Sequence, residues 1–164
     1  MASKPQAAPR RQITLQRTYR ATPEEVWEMW TTREGIEAWW GPDGFEVKVK
    51  KLELRPGGEL LYDMIAVAPE MVAFMKQSGA PSTTAARIRI TEVSAPRRLC
   101  YLHAADFIPG VEPYDVAYQV ELDPVPEGTR LTLSFEAMHD ETWTGRAVQG
   151  WEMELRKLER ALSR

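Results

Sequence analysis

His103 and His139 are the only side chains in this sequence that titrate near neutrality unaided, so proton transfer is the first chemistry to test for. Asp106 and Glu136 lie close by in sequence, and either carboxylate could partner a histidine in acid–base work. No spacing among the four matches a catalytic pattern, so a packed or capping histidine is the reading the residues favour. Cys100 stands between Leu99 and Tyr101 in an apolar run, with no neighbour in sequence to lower its pKa. It reads as a packed thiol. Two widely separated histidines with no Cys or His at ligand spacing match no zinc site. Gly44 and Gly57-Gly58 are turn glycines, because neither lies in a strand–GxGxxG–helix context. The expectation is therefore no metal, no cofactor and no catalytic residue, with enzymatic activity the lesser reading.

Composition narrows the function further. The chain has 164 residues, a length suited to one domain with a sizeable core. A net charge of −3 gives no basic footprint for nucleic acid. No run approaches the ~18 apolar residues that a membrane-spanning helix needs, and the N-terminus lacks a signal-peptide core. A single cysteine excludes an internal disulfide and fits a reducing compartment, so a cytoplasmic setting is expected. The six tryptophans fall in two stretches, Trp27 to Trp40 and Trp143 to Trp151.

Those stretches belong to helices. From Asp140 to Ser163, Trp143, Ala147, Trp151, Leu155, Leu158 and Leu162 recur three or four apart, which places them on one helical face. Glu152, Glu154, Arg156, Lys157, Glu159 and Arg160 make the opposite, water-facing side. Asp140 is the expected N-cap. Near the start, Thr22-Pro23-Glu24-Glu25 is a capping box with proline at the first helical position. Thr31 and Glu34 repeat the spacing, so two short helices precede the Gly41-Pro42-Asp43-Gly44 stop.

The rest alternates with period two. Strands are expected at Ile13–Arg20, from Phe45 to Leu54 with a bulge at Lys50-Lys51, and at Glu59–Val67. Four more follow at Ala85–Val93, Leu99–Phe107, around Val116–Leu122 and at Arg130–Met138. Pro69 to Ser78 breaks the rhythm as a short methionine-rich helix, and residues 1–12 read as a disordered tail. Short connections make the sheet antiparallel, and its apolar face needs the last helix as a cover.

RTYRATPEEVWEMWTTREGIEAWWGP, LRPGGEL and GWEMELRKLERAL, in that order, resemble the signatures of the SRPBCC (START-like) superfamily. More narrowly, they resemble its branch related to the activator of the heat-shock-protein-90 ATPase. The resemblance covers about residues 13–162 and implies an α+β helix-grip fold over 13–164. In that fold a seven-stranded antiparallel sheet wraps the long C-terminal helix, and the two short helices close one end. Members carry lipids, bind metabolites, cyclise polyketides or assist chaperones. The eukaryotic chaperone activator has a separate N-terminal domain with no counterpart here, so the chaperone role is the lesser expectation.

The resemblance also implies an apolar cavity between sheet and helix. Trp40, Tyr62, Tyr118, Phe135, Trp143 and Trp151 would project into it, with His103 available to orient a ligand. The bland alternative is that these residues fill a core. Met71, Phe74 and Met75 could form an adaptable lid, or simply anchor a surface helix or a contact with a second subunit. The leading expectation is binding of a small apolar or aromatic ligand. A cyclase- or dehydrase-type enzyme in the same cavity and a protein-partner module are its rivals.

Overall fold

The computed structural model describes residues 10–163. Alternation becomes strand wherever one side is apolar and the other polar. In β1 (Gln12–Tyr19), β2 (Phe45–Leu52) and β3 (Glu59–Ala66) the buried side chains are Ile13, Tyr19, Val47, Val49, Leu60, Tyr62 and Ala66. The pattern continues in β4 (Thr83–Ser94), β5 (Arg98–Ala105), β6 (Tyr114–Val125) and β7 (Gly128–Glu136). The seven strands form one sheet in the order β1-β7-β6-β5-β4-β3-β2, with every pair antiparallel. The expected bulge is present, as a register shift between Val49 and Lys51. A second shift, between Ile90 and Glu92 in β4, had no sequence signal.

Helix α1 (Pro23–Thr31) begins with the expected capping box: Glu25 N–H donates to Thr22 Oγ1 at 3.1 Å, and Thr22 N–H to Glu25 Oε1 at 3.3 Å. The cap of α2 (Arg33–Trp39) is one residue later than expected. Thr32 Oγ1 accepts Gly35 N–H, whereas Thr31 still belongs to α1, is buried, and donates to the Trp27 carbonyl. The Thr32 hydroxyl also donates to the Glu28 carbonyl, so the difference lies in the backbone: Thr32 has the extended conformation of an N-cap, whereas Thr31 is still helical. Helix α3 (Pro69–Gln77) opens on proline as expected, and none of its residues is buried.

Helix α4 (Glu141–Leu162) is capped by Asp140, whose carboxylate accepts Trp143 N–H at 2.8 Å. It lies across the concave side of the sheet, burying Thr144, Trp151, Leu155 and Leu158. Tyr19 fastens it to β1 by donating its hydroxyl to the Leu155 carbonyl at 3.0 Å. Of the segment 1–12 expected as a disordered tail, residues 1–9 lie outside the described residues. The remaining three are held in place. Arg10 donates to the Asp115 carbonyl and lies over the Tyr114 ring, Arg11 pairs with Glu141, and Gln12 opens β1. Among the described residues, no helix is long and apolar enough to cross a membrane.

Candidate functional site: an aromatic cavity under the last helix

Four tryptophans from three helices converge beneath α4. Trp30 of α1 stacks on Trp151 of α4 with ring centroids 5.7 Å apart, and meets Trp39 of α2 edge-on at 4.8 Å. Trp40, the C-cap of α2, packs edge-on against both Trp30 and Trp39. This cluster is the closed end of the space between sheet and helix, and Trp39 is fully buried in it. Its indole N–H donates to the Met29 carbonyl at 2.7 Å, which ties α2 back onto α1.

Beyond the cluster the packing opens into a cavity of about 240 Å³. Its wall is a closed circuit of rings. Trp40 meets Tyr62 at 5.5 Å, Tyr62 meets His103 at 6.5 Å, and His103 meets Tyr118 at 6.1 Å. Tyr118 then meets Trp151 at 5.7 Å, and Trp151 returns to Trp40 at 6.2 Å. The half-exposed Phe107 and Trp143, 5.9 Å apart, and the exposed Arg146 over the Trp143 ring mark the solvent side.

Of the residues expected from sequence, Trp40, Tyr62, His103, Tyr118, Trp143 and Trp151 line this cavity. Phe135 does not. It lies behind the wall, stacked on Tyr118 at 5.2 Å and buried in the core. Met71, Phe74 and Met75 do not line it either. Helix α3 packs beside β3 and the Gly44 turn, on the flank of the sheet, and Phe74 is 61% exposed. The expected methionine lid therefore lies elsewhere than over the cavity.

Sequence reasoning also missed residues that shape the site. Tyr101, Gly150 and Glu154 all line it. Glu154, assigned to the watery face of α4, turns inward. Its Oε1 accepts the Gly41 N–H at 2.7 Å. The signal was present: position 154 lies three residues after Trp151 and four before Leu158, within the apolar stripe. Gly150 is one turn earlier, and a Cβ placed there would have no neighbour closer than Glu154 Oε2 at 3.9 Å.

Burial sets the electrostatics. It pushes the Glu154 carboxyl up to about 7, against the opposing pull of the Gly41 N–H and the Lys157 charge. It pushes His103 down to about 4, opposed only by the charge of Asp106, so the imidazole is neutral. The phenols of Tyr62 and Tyr101 are raised, and that of Tyr118 is raised to about 12. The Tyr118 hydroxyl accepts the Trp151 indole N–H at 3.2 Å. The Tyr101 hydroxyl and Trp40 indole N–H are buried with no hydrogen-bond partner among the described residues.

The other candidate groups are occupied structurally. His139 Nδ1 lies 2.8 Å from the Tyr114 hydroxyl, and Glu136 receives Arg10 and the Ala117 N–H. Neither histidine is hydrogen-bonded to Asp106 or Glu136. Cys100 is half-buried and its thiol is raised by burial, the opposite of an activated nucleophile. Among the described residues, no group of three or more His, Cys, Asp or Glu side chains is placed to hold a metal.

Comparison with known proteins agrees with this architecture. A Chromobacterium violaceum protein of solved structure superposes with a TM-score of 0.78 at 24% identity, covering 93% of this chain and 97% of its own. The AHSA1 protein of Silicibacter pomeroyi gives 0.73 at 20% identity, covering 93% and 98%. The AHSA1-like protein of Aeromonas hydrophila gives 0.72 at 20% identity, covering 92% and 90%. At these identities the likeness is one of fold. No curated protein matches the chain. The sequence profile of the family described as activator of Hsp90 ATPase homolog 1-like protein, however, matches residues 20–163. By that match, spanning all but the first strand and the segment before it, this chain belongs to the activator of Hsp90 ATPase homolog 1-like family.

Proposed function

We propose that this protein binds a small apolar or aromatic molecule in the cavity between the concave face of the sheet and α4. The observation that carries the reading is Gly150. A glycine inside a helix costs about 1 kcal/mol relative to alanine. Here a Cβ would meet no atom closer than Glu154 Oε2 at 3.9 Å. An alanine would thus be free of clash and would favour the helix, yet the chain keeps a glycine in the cavity wall. Ligand sites are mostly apolar with a few placed polar groups, and the ring circuit with His103, Tyr62 and Glu154 has that make-up. The volume is slightly below the ~300–1,000 Å³ of typical ligand pockets, which suits a molecule of roughly one or two rings rather than a long acyl chain.

Native mass spectrometry of the protein purified from its own host, paired with organic extraction, tests the reading. A stoichiometric added mass in the monomer is the expected result. A clean apo mass, together with no heat on titrating 2-naphthalenemethanol, would overturn it.

A second reading is favoured by one observation, the exposure of Val67, Val72 and Phe74 on and beside α3. These apolar side chains suit contact with another protein. Loss of a co-purifying partner in Phe74→Ser, with ligand binding intact, would support that contact as a separate property.

A further inference from the structure

The polar group that sets this cavity apart is a carboxyl, and it is short of a partner. Glu154 Oε1 is used by the Gly41 N–H, whereas Oε2 has no hydrogen-bond partner and no basic side chain within ion-pair distance among the described residues. The charge of Lys157 is felt at Glu154, but its hydrogen bonds go elsewhere. Lys157 Nζ donates to the Gly41 carbonyl at 2.8 Å and reaches toward that of Trp40 at 3.5 Å. Arg146, two turns earlier on α4, also lines the cavity, but its guanidinium lies over the Trp143 ring at 4.8 Å and makes no ion pair with Glu154 among the described residues.

The same cavity is walled by the closed circuit Trp40–Tyr62–His103–Tyr118–Trp151, whose successive members are 5.5–6.5 Å apart. Aromatic faces carry negative potential, so a box of them attracts a cation, most strongly where water is excluded. The imidazole in the circuit is neutral and adds no opposing charge. A carboxylate with an uncommitted oxygen at the edge of an aromatic box is complementary to a protonated amine, and much less so to an anion or a plain hydrocarbon.

We propose that the ligand of this cavity carries a cationic amine, which pairs with Glu154 Oε2 while its apolar body lies against the aromatic circuit. This rests on the ligand-binding reading above and narrows it to a chemical class. The proton count is simple. An ammonium group brings its own charge, and any Glu154 that is protonated in the free protein releases its proton to water on binding.

The test compares 2-naphthylmethylamine with its neutral counterpart 2-naphthalenemethanol by isothermal titration calorimetry at pH 8. The amine is expected to bind about tenfold or more tightly. In Glu154→Gln the amine-to-alcohol preference is expected to vanish, and the amide oxygen can still accept the Gly41 N–H that joins α4 to the end of α2. A second measurement needs no variant: in the native protein the amine-to-alcohol preference is expected to grow between pH 6 and 8. If the alcohol binds as tightly as the amine, or the preference survives in Glu154→Gln, the amine proposal falls while ligand binding stands. If neither molecule binds, both fall.

Discussion

The indole N–H of Trp151 on α4 donates to the hydroxyl of Tyr118 on β6 at 3.2 Å, and both rings face the cavity. One bond therefore joins the cover to the centre of the sheet and fixes two walls of the site at once. Tyr118→Phe removes the acceptor and leaves a buried N–H unpaired, which costs about 1–3 kcal/mol. Urea denaturation is expected to show a loss of that size. A loss near zero would mean that the indole finds another partner and that the bond does not hold α4 in place.

Gly150 separates cavity from core. Gly150→Leu places a side chain into the open space while replacing the poorer helix former, so the thermal midpoint is expected to stay level or rise, by up to about 1 kcal/mol of stability. Binding of 2-naphthalenemethanol is expected to be lost. A marked fall in stability would show that the space at 150 is already filled in solution. Retained binding would place the ligand elsewhere.

Most of the architecture could be read from period and punctuation. The Thr22–Glu25 box, proline at the start of α1 and α3, Asp140 and the alternating strands all act through local physics, and local physics is what sequence spacing records. The site was legible where a residue's type agreed with its direction, as for Trp40, Tyr62, Tyr118 and Trp151. It failed in two instructive ways. Glu154 was assigned to solvent because of its charge, although its spacing within the apolar stripe pointed inward. Met71, Phe74 and Met75 were drawn toward the cavity by their chemistry, although only the sheet's tertiary arrangement decides on which side a connection between β3 and β4 falls.

Helix α3 offers the complementary control. It buries none of its residues and its Phe74 projects into solvent. Phe74→Ser is expected to change stability by no more than about 0.5 kcal/mol, as for other exposed positions, and to leave ligand affinity unchanged. An affinity loss of tenfold or more in calorimetry would return α3 to the role of a lid.

Two half-buried ionisable groups of the cavity wall, Glu154 and His103, pull stability in opposite directions with pH. Glu154 is raised from its ordinary 4.5 to about 7, so between these values the folded protein holds a proton that the unfolded chain has released. Its contribution is full below about pH 4.5 and is lost as pH rises to 7. His103 is lowered from 6.5 to about 4, so between these values the unfolded chain holds the extra proton. Its contribution is full above about pH 6.5 and is lost as pH falls to 4. Each slope is at most about 1.4 kcal/mol per pH unit, and over the shared window of roughly pH 4.5–6.5 they cancel. Lys157 beside Glu154 and Asp106 beside His103 are present in every variant and do not alter the comparison. Relative to the native protein, Glu154→Gln is therefore expected to gain stability with rising pH across this window, because only the histidine slope remains. His103→Asn is expected to lose stability with rising pH, because only the carboxyl slope remains. Urea midpoints at pH 4.5, 5.5 and 6.5 decide the matter. Parallel profiles for all three proteins would mean that water reaches both groups and that the cavity is far wetter than its aromatic wall implies.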